Sequence, residues 1–150
     1  MLKQLSIYAE NKKGALQAMT NALYEAGINI WGSVTNDGAE YGINRMVVSD
    51  PDKAKEVLTE KGYLCRFVDV LAVEIEDKPG ALNTLLTALL DSNVNVDYTY
   101  LSFNRDSSTP VMILHTADPE EVEICLRAKG FKMVSVSYTH LRAHETRGNL

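Results

Sequence analysis

Two short turns in this sequence bring together residue types that suit a zwitterion. They read Asn11-Lys12-Lys13-Gly14 and Asp77-Lys78-Pro79-Gly80, and each precedes an apolar run with helical spacing. A helix N-terminus offers free backbone N–H groups and the positive end of the helix dipole, which suit a carboxylate. Glycine lets a ligand approach the backbone closely. The side-chain oxygen of Asn11 or Asp77 can accept hydrogen bonds from an α-ammonium group. A plainer reading is that Asn11 and Asp77 only cap the helix and that the lysines are solvated. Spacing does not choose between the two.

Other chemistry is thinly provided for. Nucleophilic catalysis needs a nucleophile with a base within reach, and the histidines are His115, His140 and His144. His115 falls in a strand-like run and suits a structural role. His140 and His144 stand four apart, a spacing that on a helix can bind a metal, but no third ligand is near. No Gly-rich phosphate loop is present. Cys65 and Cys125 lie far apart in the chain, in neither a disulfide framework nor a metal spacing, and read as buried free thiols in a reducing compartment. The expectation is a protein that is not an enzyme and needs no cofactor or metal.

Composition narrows the partners. Apolar residues make up 45% and charged residues 23% of the chain, as in ordinary globular proteins. Net charge is −5 with the two signs interspersed, which argues against a nucleic-acid partner. No apolar stretch approaches the roughly 20 residues of a membrane span. Met1-Leu2-Lys3-Gln4 runs straight into a strand-like pattern, so no signal peptide is expected and the location is read as cytoplasmic.

The elements that must position the two turns are read from an internal repeat. Asn11 to Leu16 overlie Asp77 to Leu82 at an offset of 66, which also aligns Gly27-Ile28-Asn29-Ile30 with Asn93-Val94-Asn95-Val96. Further on the offset becomes 68, aligning Asp50-Pro51 with Asp118-Pro119 and Lys61-Gly62-Tyr63 with Lys129-Gly130-Phe131. The two extra residues belong in a loop, at Asn104 to Ser108, because a slip within a strand turns every side chain over.

Each copy then reads strand, helix, strand, strand, helix, strand. First strands are expected at Gln4 to Ala9 and Val70 to Ile75. Helices follow at Gly14 to Ala26 and Gly80 to Leu90, with Leu16, Met19, Ala22, Leu23 and Ala26, or Leu82, Leu85, Leu86 and Leu89, at helical spacing. Next come Ile28 to Thr35 and Tyr41 to Val48, matched by Val94 to Phe103 and Val111 to Thr116. Asn36-Asp37-Gly38 is a hairpin signal between the first pair. Asp50-Pro51 and Asp118-Pro119 open the second helices, and Gly62 and Gly130 close them. Last strands are expected at Tyr63 to Val68 and Phe131 to Val136. This order is the split-βαβ ferredoxin-like pattern. The fold class is thus α+β: two tandem βαββαβ units, residues 1–68 and 69–136, each an antiparallel sheet with helices on one face. Units this small are marginal alone, so the two copies should pair. The tail, residues 137–150, has no counterpart in the repeat and is expected to be disordered or non-native.

Asp/Asn-x-x-Gly-Ala-Leu after a strand, an apolar helix, then Gly-Ile-Asn-Ile or Asn-Val-Asn-Val together resemble the ACT domain. The likeness covers about residues 3 to 136 in both copies. It implies a regulatory module binding a free amino acid or similar small metabolite where domains meet, and a homo-oligomer formed by ACT pairing. By the same resemblance Asn11, Lys13, Gly14, Asp77, Pro79 and Gly80 lie in the ligand-facing turn. Ala15, Leu16, Ala81 and Leu82 follow in the helix start. Asn29 and Asn95 match a polar position at the start of the second strand, where they also suit backbone hydrogen bonding. The Asp77-Pro79 form is nearer the family pattern than Asn11-Lys13, which favours the second turn. Trp31, Tyr98 and Tyr100 suit either a pocket wall or sheet-face packing. Other functions of this fold fit poorly: a metallochaperone needs Cys-x-x-Cys in the turn, and an RNA-recognition motif needs basic and aromatic central strands. Two expectations remain, an amino-acid sensor or a ligand-free pairing module, such as a regulatory subunit of an amino-acid biosynthetic enzyme.

Overall fold

The computed structural model describes residues 1–36, 41–104 and 106–134. Its elements are β1 (Leu2–Glu10), α1 (Ala15–Glu25), β2 (Ile30–Asn36), β3 (Tyr41–Val48), α2 (Pro51–Glu60), β4 (Leu64–Glu74), α3 (Ala81–Asp91), β5 (Tyr98–Phe103), β6 (Pro110–His115) and α4 (Pro119–Ala128). The expected Asp37-Gly38 turn, the tail with His140 and His144, and the end of the last strand lie outside the described residues.

Local signals explain most boundaries. Asp50 caps α2 by accepting from the Lys53 amide at 3.2 Å, and Pro51 takes the first position, where no N–H is needed. Asp118 holds the same place before α4 but its side chain makes no cap bond. Gly62 and Gly130 follow the two helices with φ of 93° and 90°. The insertion falls between β5 and β6, where Asn104 Oδ1 accepts from the Asp106 amide at 2.9 Å.

One difference from the sequence reading reorganises the picture. Tyr63 to Val68 and Val70 to Ile75, expected as two strands, run as the single strand β4. No Gly, Pro or Asn interrupts this stretch, and Asp69 is its one residue of a turn-favouring type, flanked by Val68 and Val70, which suit an extended chain. Residues 64–70 pair with β1, and residues 71–74 pair with β6, both antiparallel. The expected division after Val68 therefore lies inside a strand. Beside β4, the Glu74 amide donates to the Lys132 carbonyl and the Val134 amide to that of Ala72, at 2.9 and 2.8 Å, and Met133 forms an isolated antiparallel bridge with Val73.

The sheet order is β2-β3-β1-β4-β6-β5. Its two ends come together, since Ser102 Oγ on β5 donates to the Trp31 carbonyl on β2 at 2.8 Å. This closure creates three cores. Leu5, Ile7, Met46 and Val48 pack under α1 and α2 with Met19, Leu23 and Leu58. Leu71, Val73, Met112 and Leu114 pack under α3 and α4 with Leu85, Leu89 and Leu126. Between the sheet halves lie Leu2, Val47, Val70, Ala72, Tyr100, Val111 and Ile113, with Trp31 and Tyr98 at the margin. The two copies thus bury the faces that their own helices leave open, and the strand aromatics serve packing. At ~2 kcal/mol for each fully buried large aliphatic side chain, this third core is a substantial part of the hydrophobic term.

Three leucines depart from expectation. Leu16, Leu82 and Leu86 remain 48%, 38% and 36% exposed, while Met19, Leu23, Leu85 and Leu89 are fully buried. The apolar arc of α1 and α3 is wider than the strip that the sheet covers. No helix among the described residues is long and apolar enough to cross a membrane.

Candidate functional site

The two turns repeat one backbone geometry. In the first, the Lys12 amide donates to the Glu10 carbonyl at 3.1 Å and the Ala15 amide to the Lys12 carbonyl at 3.1 Å. In the second, Lys78 donates to Glu76 at 3.0 Å and Ala81 to Lys78 at 3.2 Å. Gly14 and Gly80 occupy the N-cap positions with φ of 83° and 85°. A Cβ at either would meet nothing within 4 Å, so glycine is required by the positive φ and not by crowding. Glycine at each N-cap has no side chain of its own to bond the first-turn amides.

Each turn borders a cleft built by one repeat. The Asp77 turn opens on a cleft of about 640 Å³, lined by Glu74, Glu76, Asp77, Lys78, Ala81, Thr84, Ser107 to Pro110, and Gly130 to Lys132. The equivalent cleft of the first repeat, about 630 Å³, is lined by Tyr8, Glu10, Lys12, Lys13, Gly14, Ala15, Tyr41, and Lys61 to Leu64. Asn11, with Ala15 and Leu16, lines a smaller opening of about 170 Å³ on the other side of the first turn, beside Met19, Thr35 and Asn44. Asn44 is buried there and donates to Thr35 Oγ1 at 2.7 Å and Ser33 Oγ at 3.2 Å.

The expected residues are thus brought together in part. Lys13, Gly14 and Ala15 share one cleft, and Asp77 and Ala81 share the other. Pro79 and Gly80 shape the second turn without lining its cleft, and Leu82 stands exposed one residue beyond Ala81. Asn29 is elsewhere: its amide donates to Ser49 Oγ and its carbonyl accepts from the Ser49 amide, both at 2.9 Å. Asn95 donates to Asp97 Oδ1 at 3.2 Å and lines a separate cleft near Ser92, Asp118 and Cys125. Tyr8, Tyr41, Lys61 and Tyr63 in one cleft, with Phe131 and Lys132 in the other, were not anticipated. For Lys61, Tyr63 and Phe131 the signal was the repeated Lys-Gly-aromatic triplet after each second helix, which returns beside the start of the repeat.

Charge is arranged by pairing. Glu10 meets Lys12 at 3.1 Å and Glu76 meets Lys78 at 2.7 Å, so this ion pair is common to both turns. The Asp77 carboxylate is exposed and has no partner among the described residues. Burial pushes the Cys65 thiol above its ordinary range, opposed by the Lys55 charge and a hydrogen bond with Thr59, so this thiol is poorly suited to act as a nucleophile. Among the described residues no group of three or more His, Cys, Asp or Glu is placed to hold a metal ion.

Comparison with known proteins adds to this geometry. The family described as ACT domain pair matches residues 1–137. Protein BT0572 from Bacteroides thetaiotaomicron is similar in structure with a TM-score of 0.83 at 30% identity, over 91% of this chain and 94% of that one. The ligand-free regulatory subunit of aspartate kinase from Thermus thermophilus has a TM-score of 0.60 at 16% identity, over 84% and 89% of the two chains. The corresponding subunit from Thermus flavus gives 0.57 at 20% identity, over 85% and 91%. No curated protein matches the sequence.

Proposed function

Because the chain belongs to the family of ACT domain pairs, we propose that it is an amino-acid sensor whose turns at Asp77 and Lys13 hold the ligand. An ACT domain pair is a regulatory module, and the finer reading is carried by one observation. The same αL-glycine N-cap, with no side chain of its own, occurs twice, each time beside a cleft of a volume suited to a small metabolite. At the second turn the first-turn amides suit the ligand carboxylate and Asp77 its ammonium group. Both clefts are lined by one repeat and border exposed residues. A second copy of the chain would therefore complete the enclosure. Exposed Leu82, Leu86 and Leu90 along α3 support such pairing. Ligand binding at that interface would favour one arrangement of the paired chains over another, which is the signal a partner enzyme of amino-acid metabolism could read.

A thermal-shift screen of the twenty amino acids tests this. A ligand at a hundredfold excess over its Kd stabilises the folded state by about 2.7 kcal/mol, enough to raise Tm by several degrees. At least one amino acid should do so at millimolar concentration, and Asp77→Ala should remove the shift of a ligand held at the second turn. No shift from any of the twenty, or a shift that survives Asp77→Ala together with Lys13→Glu, refutes the assignment.

A further inference from the structure

The two clefts share a backbone and differ in charge. In both, the Glu10–Lys12 or Glu76–Lys78 pair cancels. In the second cleft Glu74 also meets Lys132 at 3.5 Å, which leaves the carboxylate of Asp77 as the uncompensated lining charge among the described residues. In the first cleft the uncompensated lining charges among the described residues are Lys13 and Lys61, both exposed. Two positions of the repeat carry the difference, Asn11 standing where Asp77 does and Lys13 where Pro79 does, while Lys61 matches Lys129, which does not line the second cleft. Tyr8, Tyr41 and Tyr63 complete the first lining and can add hydroxyl donors, which an oxyanion accepts.

We propose that the turns bind ligands of opposite charge: the Lys13–Lys61 cleft takes a dianionic group, a phosphate or a second carboxylate, and the Asp77 cleft takes a ligand carrying excess ammonium charge. This rests on the turns being ligand sites, and it makes the pair a comparator of two chemically distinct metabolites. Two exposed lysines attract an anion through solvent, so the interaction weakens with salt.

The test uses the full chain, with amide NMR spectra recorded during titration by inorganic phosphate, succinate and L-lysine at low and at physiological ionic strength. Gly14 and Gly62 report on the first cleft, Gly80 and Gly130 on the second. Saturable shifts of Gly14 and Gly62 with phosphate or succinate, and of Gly80 with L-lysine, are expected. The tighter of the two anions identifies the source of the dianionic group. Lys13→Glu with Lys61→Glu should weaken anion binding at least tenfold while the Gly80 and Gly130 signals stay in place, which shows that the fold is kept. Anion shifts that are equal at both glycine pairs, or that fail to saturate and persist in the double variant, mean an adventitious ion only and overturn the proposal. Absence of any anion shift at Gly14 also overturns it, while a positive amino-acid screen dependent on Asp77 would leave the sensor reading standing.

Discussion

The Tyr100 hydroxyl donates to Gln4 Oε1 at 2.7 Å, a bond between side chains 96 positions apart that joins the first strand of one repeat to the second strand of the other. Gln4 is fully buried, and its Nε2 donates to the Tyr98 hydroxyl at 2.8 Å and to Ser6 Oγ at 3.2 Å. A polar side chain in an otherwise apolar interior is stable there because its groups are paired.

Gln4→Leu should therefore cost more than the loss of a surface amide. It removes the Gln4 oxygen from the Tyr100 hydroxyl and the Gln4 amide from the Tyr98 hydroxyl, a loss of about 2 kcal/mol. Tyr100→Phe should cost about 1 kcal/mol. Urea unfolding of the two single variants and the double variant measures the coupling. A double variant that loses the full sum of the singles would show that the bond contributes nothing.

Gly32 fixes how closely the ends of the sheet approach. A Cβ built there lies 2.9 Å from Ser102 Cβ and 3.2 Å from the Leu101 carbonyl oxygen, so the backbone must shift. Gly32→Ala should destabilise by roughly 1–3 kcal/mol through overpacking. Gly32→Ala should cost less in a Ser102→Gly background than in the natural chain, because the Ser102 side chain is then no longer in its way. Thermal unfolding of the three variants decides it; an equal cost in both backgrounds would place the strain elsewhere.

Cys65 gives stability a pH dependence. Burial raises its pKa above the ordinary 9.0, against the opposing effects of Lys55 and Thr59. The folded state then holds a proton that the unfolded chain releases first. This contribution is complete below the unfolded pKa and is lost as pH rises through the folded one. Stability of the natural chain should fall more steeply above about pH 9 than that of Cys65→Ala. Parallel alkaline profiles for the two proteins would refute the assignment.

Much of this architecture was legible because the repeat states it twice. Asp50-Pro51 and Asp118-Pro119, with Gly62 and Gly130, mark the second helices through local backbone requirements that no tertiary contact overrides. Gly14 and Gly80 were legible for the same reason. What escaped depends on distant neighbours. Leu16, Leu82 and Leu86 carry helical spacing, yet only the placement of the sheet decides which part of an apolar arc is covered. Lys61 and Tyr63 reach the first cleft because β4 lies beside β1, with Leu64 opposite Tyr8, a pairing between segments remote in sequence. Asn29 and Asn95 share a motif with the turns but sit at other ends of their helices, so proximity in the pattern did not become proximity in space.

The shared strand β4 turns a duplication into something that cannot be undone by cutting. Chain breakage between Val68 and Asp69 would take from β1 and from β6 the continuity of one common neighbour. Each fragment would also carry away half of an interior, with Val70 and Ala72 on one side and Val47 on the other left facing water. The repeats can diverge in the residues that line their clefts, as they have, but neither can be cut away without exposing the interior that the other helps to bury.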